Sequence, residues 1–113
     1  MNLSEVNKSI QNNLFLQETA QQLEKDFLMI GINFDIDTPV SDYKYLFSFT
    51  YHLVNALNEQ NPQKVLNLLY RIDLAEKKVQ EEMQKTQLSF TEMLSEMIVK
   101  REIYKVILRK KYS

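Results

Sequence analysis

An all-α fold is predicted: a four-helix antiparallel bundle with an extended strap, about residues 31–41, between its first two helices. Three observations predict it. The 113 residues include one Gly and two Pro, and sheet-rich folds need many turns built from those residues. Apolar residues recur at three- and four-residue spacing along most of the chain. Hydrophobic content of 44% beside 26% charge is the balance of a chain that buries a core rather than staying disordered. The length suits one domain spanning 1–113, with no room for a second core.

The first helix is expected from Ser4, as its N-cap, to Ile30. Leu3, Val6, Ile10, Leu14, Leu16, Ala20, Leu23, Phe27 and Ile30 supply its apolar spacing. Gly31 follows where a left-handed residue closes a helix, and Ile32 is placed to fold back over the end. In the strap, Ile32, Phe34 and Ile36 alternate with small or polar residues, a strand-like period. Tyr43, Tyr45, Phe47, Phe49 and Tyr51 alternate too, so a β-hairpin across 37–42 competes with a second helix over 42–60. The helix is preferred. Tyr43, Leu46, Phe47, Thr50, Leu53, Val54 and Leu57 fit its period equally well, and the stretch is too long for an ordinary strand.

The third helix opens at Asn61-Pro62, a cap followed by a proline whose missing N–H is no loss at N1. Val65, Leu68, Leu69, Ile72, Ala75, Val79 and Met83 form one stripe. Lys77–Glu81, Lys78–Glu82 and Glu81–Lys85 are spaced for solvent-side pairs. The fourth helix starts with a capping box, Ser89-Phe90-Thr91-Glu92, and runs to about Tyr112.

Several chemistries find no support. The chain has no cysteine, which removes disulfides, thiolate metal sites and cysteine nucleophiles together. A di-iron carboxylate bundle needs two Glu-x-x-His pairs, and the one histidine, His52, has Phe49 three residues before it. Asp35, Asp37 and Asp42 lack the glycine and terminal Glu of a calcium loop and are expected to be the wet face of the strap. Ser48 lies one turn before His52, without a third group to orient the imidazole. No metal, cofactor or catalytic residue is assigned, and no enzyme activity is expected. The chain shows no apolar run of about 18 residues and no secretory leader. A cytoplasmic protein without membrane contact is expected.

Charge is uneven along the chain. Residues 100–113 carry six bases and one acid, formally +5, while residues 1–99 are −6. Lys105, Arg109, Lys110 and Lys111 are the candidate contacts for a nucleic acid or another anionic partner. At about 100° per residue they scatter around the helix instead of sharing one face, which disfavours that use. Arg101 falls inside the apolar stripe of Phe90, Met93, Leu94, Met97, Ile98, Tyr104 and Leu108, where it either snorkels to the surface or pairs with an acid of another helix; Asp26, Asp73 and Glu76 are candidates. Val99, Ile103, Val106 and Ile107 make a second stripe on the opposite side. A bundle helix normally buries one. Either the chain covers both stripes, or these four residues form an interface with a protein partner, a second copy being the commonest case.

The run Asn67-Leu68-Leu69-Tyr70-Arg71-Ile72-Asp73 with the Glu/Lys-rich turn after it, the Arg101-Glu102 pair and the ending Arg109-Lys110-Lys111-Tyr112 resemble small uncharacterised bacterial helical proteins. The resemblance covers the second half of the chain and implies no activity. The function expected is non-enzymatic association, as a homodimer or an adaptor, with anion binding by the basic helix as the alternative.

Overall fold

The computed structural model describes residues 3–9 and 11–112. They form six helices: α1 (Leu3–Ser9), α2 (Asn13–Met29), α3 (Tyr43–Gln60), α4 (Pro62–Arg71), α5 (Glu76–Met83) and α6 (Phe90–Tyr112). The chain is all-helical among the described residues, and the hairpin considered for 30–53 is replaced by strap and helix. Two of the four expected helices are each broken in two.

The first break is at Asn12. Its side chain accepts hydrogen bonds from the N–H groups of Leu14 (3.0 Å) and Phe15 (3.3 Å), so a new helix starts there. Asn competes well for the free N–H groups of a helix start, and here that outweighs the continuous apolar spacing. Ser4 lies inside α1 and not before it; Ile10, placed in the same stripe, lies outside the described residues. The second break follows Arg71. Asp73 adopts φ +62°, its N–H donates to the Tyr70 carbonyl at 3.2 Å, and the Leu74 N–H donates to Leu69 at 2.9 Å. That is a Schellman closure with Asp in the left-handed position usually held by Gly. At the start of α4, Pro62 takes the first turn as expected, whereas the Asn61 side chain makes no cap bond.

The end of α2 follows its sequence signal. Gly31 has φ +80°. Its N–H donates to Leu28 (2.9 Å), and the Ile32 N–H reaches back to Phe27 (2.9 Å). The strap then crosses the core. Phe34 is buried, Ile32 and Ile36 are partly so, and Phe34 stacks on Phe27 (centroids 5.2 Å) and meets Phe49 edge-on (4.9 Å). Gln17 of α2 pins the far end by a reciprocal pair: its Nε2 donates to the Val40 carbonyl (2.7 Å) and its Oε1 accepts from the Val40 N–H (2.6 Å). Asp42 then caps α3, its Oδ1 accepting from the Tyr45 N–H at 2.8 Å.

Helix α6 is the hub. It packs against α1, α2, α3 and α5, while α4 lies against α3 and α2. Its start is capped by Ser89, whose Oγ accepts from the Glu92 N–H (3.2 Å) and donates to Glu92 Oε1 (2.9 Å). Both apolar stripes of α6 are covered within the chain. Met93, Leu94 and Ile98 are buried, and so are Val99, Ile103, Val106 and Ile107, none more than 7% exposed. A helix that is apolar on several sides belongs in the interior.

The two helix ends give a paired prediction. Gly31→Ala should lower unfolding free energy by about 1–2 kcal/mol, the cost of a left-handed L-residue. Asp73→Gly should hold or raise stability, while Asp73→Val should lower it by at least about 1 kcal/mol. Urea unfolding of the three variants checks this.

Candidate functional site

Two places in the molecule carry chemistry that packing alone does not require. The first is a buried carboxyl pair, Asp26 on α2 and Glu102 on α6, both 0% exposed. Helical spacing puts Asp26 on the same face as Leu23 and Phe27, so the core-facing stripe of α2 carries an acid inside. Asp26 is heavily bonded. Arg71 Nε from α4 donates to Oδ1 (3.0 Å), while Lys105 Nζ from α6 (3.1 Å) and Gln22 Nε2 (2.9 Å) donate to Oδ2. Gln22 in turn accepts from Arg109 Nη1 at 2.8 Å. Burial acts to raise the Asp26 carboxyl, but the hydrogen bonds from Glu102, Gln22 and Lys105 and the Lys105 charge outweigh it and hold the group at about 2.

Glu102 is the opposite case. Its oxygens accept no hydrogen bond from any donor among the described residues; Lys105 Nζ stands 3.4 Å from Oε1. Burial first, then the adjacent Asp26 carboxylate as hydrogen-bond acceptor and as charge, push Glu102 up to about 9, against the pull of Lys105. A carboxyl with no solvent and an anion beside it is stable only as the neutral acid. At neutral pH Glu102 therefore keeps its proton. The pair titrates as a unit, with one proton held between two acids and cations from α4 and α6.

The cations named in the sequence are absorbed by this and similar contacts. Lys105 and Arg109 face Asp26 and Gln22. Lys110 lies 2.8 Å from Glu18 and Lys111 3.7 Å from Glu5. Arg101 finds Asp73 of the three acids proposed, at 3.7 Å, and its Nε also donates to the Ile72 carbonyl at 2.9 Å. Lys100 pairs with Glu96 at 2.9 Å. Each of the six bases in the +5 segment thus meets an acceptor of the same chain. The four residues expected at an interface, Val99, Ile103, Val106 and Ile107, are core residues, because α6 is surrounded. His52 is exposed, with its ring 5.3 Å from that of Tyr51. Asp35, Asp37 and Asp42 are exposed, and no group of three metal-binding side chains occurs among the described residues.

The second place is a groove of about 440 Å³ between α5 and the first half of α6. Leu74, Met93 and Met97 form its apolar floor and Leu88 its end, with Lys78, Glu81, Glu82, Lys85, Glu96 and Lys100 around the rim. A smaller hollow of about 210 Å³ under Leu66 and Tyr70 adjoins it through Leu74. Tyr70 (75%), Met83 (52%) and Leu88 (44%) are exposed on α4, α5 and the segment after α5. The stripe expected on the third helix thus ends early: Ala75 is exposed and Met83 is half in water, because the break at Asp73 turns α5 away from the line of α4. Helix α5 buries Val79 alone and touches chiefly α6. The groove needed the turn at Asp73, for which no glycine gave a signal.

No protein-family model, curated protein or solved structure matches the chain. No helix among the described residues is long and apolar enough to cross a membrane.

The carboxyl pair fixes how stability depends on pH. The folded protein at pH 7 holds a proton on Glu102 that the unfolded chain has released, since the ordinary value is 4.5. The folded state binds more protons, so stability falls as pH rises from about 4.5 to about 9, by at most about 1.4 kcal/mol per pH unit. Asp26 works the other way: its contribution is present above 3.8 and is lost as pH falls toward about 2. Thermal melts should therefore decline from pH 5 to pH 9, and Glu102→Gln should flatten that decline and melt higher than the parent at pH 8. An unchanged slope in Glu102→Gln would exclude the neutral acid. Asp26→Ala should cost about 3 kcal/mol in urea unfolding, the lower end for a broken buried pair, because Arg71 and Lys105 keep partial access to water.

Proposed function

We propose that this chain is a non-enzymatic helical protein that acts by associating with another protein, as a homodimer or an adaptor, and that the α5–α6 groove is where the partner sits. The observation that carries this is a groove floored by Leu74, Met93 and Met97 and ended by the exposed Leu88, with the exposed Tyr70 on the hollow that adjoins it. Exposed apolar side chains gathered at a groove are a recurrent mark of association sites. Methionine suits the purpose, since its unbranched thioether adapts to the shape of what it meets. A helix or a few apolar side chains laid into a groove with a charged rim is a common recognition mode.

The stripe of Val99, Ile103, Val106 and Ile107 supports the fold of each copy, and the contact surface moves to the next helix. An anionic partner on Lys105, Arg109, Lys110 and Lys111 would have to compete with Asp26, Gln22, Glu18 and Glu5, which those cations already face. That makes it the weaker alternative.

A photo-crosslinking amino acid placed at Leu88, and separately at Glu24 on α2 as a control, tests the site in native cells. Leu88 should yield a discrete protein adduct, of a second copy or of another protein, and Glu24 should yield none. Absence of any adduct at Leu88 would overturn the association.

A further inference from the structure

The charges of α5 behave differently from those of α6. Every base of α6 meets an acceptor of its own chain, whereas Lys77, Lys78, Glu81 and Glu82 enter no ion pair among the described residues. The solvent-side pairs expected from their four-residue spacing do not close. All four side chains are exposed, and Lys78, Glu81 and Glu82 stand on the rim of the groove.

Their order has a symmetry. Two bases are followed, after two neutral residues, by two acids. Read backwards, the pattern is the same with every sign inverted. Two such helices laid antiparallel across a two-fold axis between Val79 and Gln80 bring the Lys77 and Lys78 end of each level with the Glu81 and Glu82 end of the other; at about 100° per residue Lys77 shares a flank with Glu81 and Lys78 with Glu82, and the axis repeats both pairings. No like charges meet in that register. A two-fold interface must match a surface to itself, and a strip of one sign cannot do so. The chain as a whole carries a formal charge of −1, so long-range repulsion between copies is slight.

We propose that the occupant of the α5–α6 face is a second copy of this chain, docked with α5 antiparallel to its counterpart and the Lys77, Lys78, Glu81 and Glu82 charges paired across the axis. This rests on the association proposed above and names its partner. Leu88, at the end of each groove, then borders the interface. Opposite charges fix the register and disfavour shifted arrangements, which is the usual contribution of rim charges to an interface.

Light scattering on purified full-length chain tests this, with the double variants Lys77→Glu/Lys78→Glu and Glu81→Lys/Glu82→Lys. The reversals put acids near the start and bases near the end of α5, which the helix dipole favours, and circular dichroism confirms that each variant is helical. The parent should show twice the 13.5 kDa chain mass at a concentration where each variant alone is a monomer, with self-affinity at least about tenfold weaker. An equimolar mixture of the two variants should recover the doubled mass. A doubled mass that survives in each variant alone overturns this interface and leaves association standing. A mixture that stays monomeric while the parent is dimeric overturns the charge pairing. A parent that is monomeric at every concentration overturns self-association, and an adduct of a different protein at Leu88 then leaves the adaptor role in place.

Discussion

Helix α6 packs against four other helices, and it carries the fully buried Glu102 into the core beside Asp26. Glu102 lies on a face of α6 that has no access to water, where a charged carboxylate is costly. It keeps a proton and sits against Asp26, which gathers Arg71 and Lys105 from two other helices. Three helices, α2, α4 and α6, are thereby referred to one carboxylate. Apolar packing would tolerate some sliding of α6 along its neighbours. Directional bonds at about 3 Å from Arg71, Lys105 and Gln22 define one axial position.

The same geometry explains why a basic segment ends without a basic surface. Long Lys and Arg side chains on a central helix run along apolar neighbours and bring their charges to acids at the rim of the core. Lys110 passes the Phe15 ring at 5.6 Å on its way to Glu18, and Arg101 lies 5.8 Å over Tyr104. Net charge counted along the sequence therefore overstated what α6 presents outside. Helix α5, short and held by one buried valine, keeps its charges at the surface, and the balance there is close to neutral but strongly ordered.

Much of the fold could be read from spacing. The all-helical class, the strap with Phe34 inside, the Gly31 closure and the Ser89 capping box follow from residues whose local physics is unambiguous. The breaks at Asn12 and Asp73 were not legible. Asn inside an apolar-periodic run is compatible with a helix interior as well as with a cap, and the choice depends on where the core lies. An Asp in left-handed conformation carries no signal comparable to a glycine; Arg101, nearly thirty residues on, is part of what holds that turn together. The second stripe of α6 was visible, but deciding between partner and core required knowing that four helices surround it. The carboxyl pair was hidden for a similar reason, since Asp26 and Glu102 are 76 positions apart in the chain and neither looks buried alone.

The central position of α6 has a bearing on how the chain reaches its native state. The helix that covers α1, α2, α3 and α5 is also the one that follows them in the chain. The contacts that lock it, Lys105 to Asp26 and Arg109 to Gln22, span 79 and 87 residues. During synthesis, the segments from α1 to α5 leave the ribosome before the helix that four of them pack against. Local helix formation takes place in microseconds, but the closing step is a long-range docking event that depends on the most distant part of the sequence. A chain interrupted before α6 lacks the surface that holds its helices together, and exposed apolar surface of that kind invites chaperones and proteases.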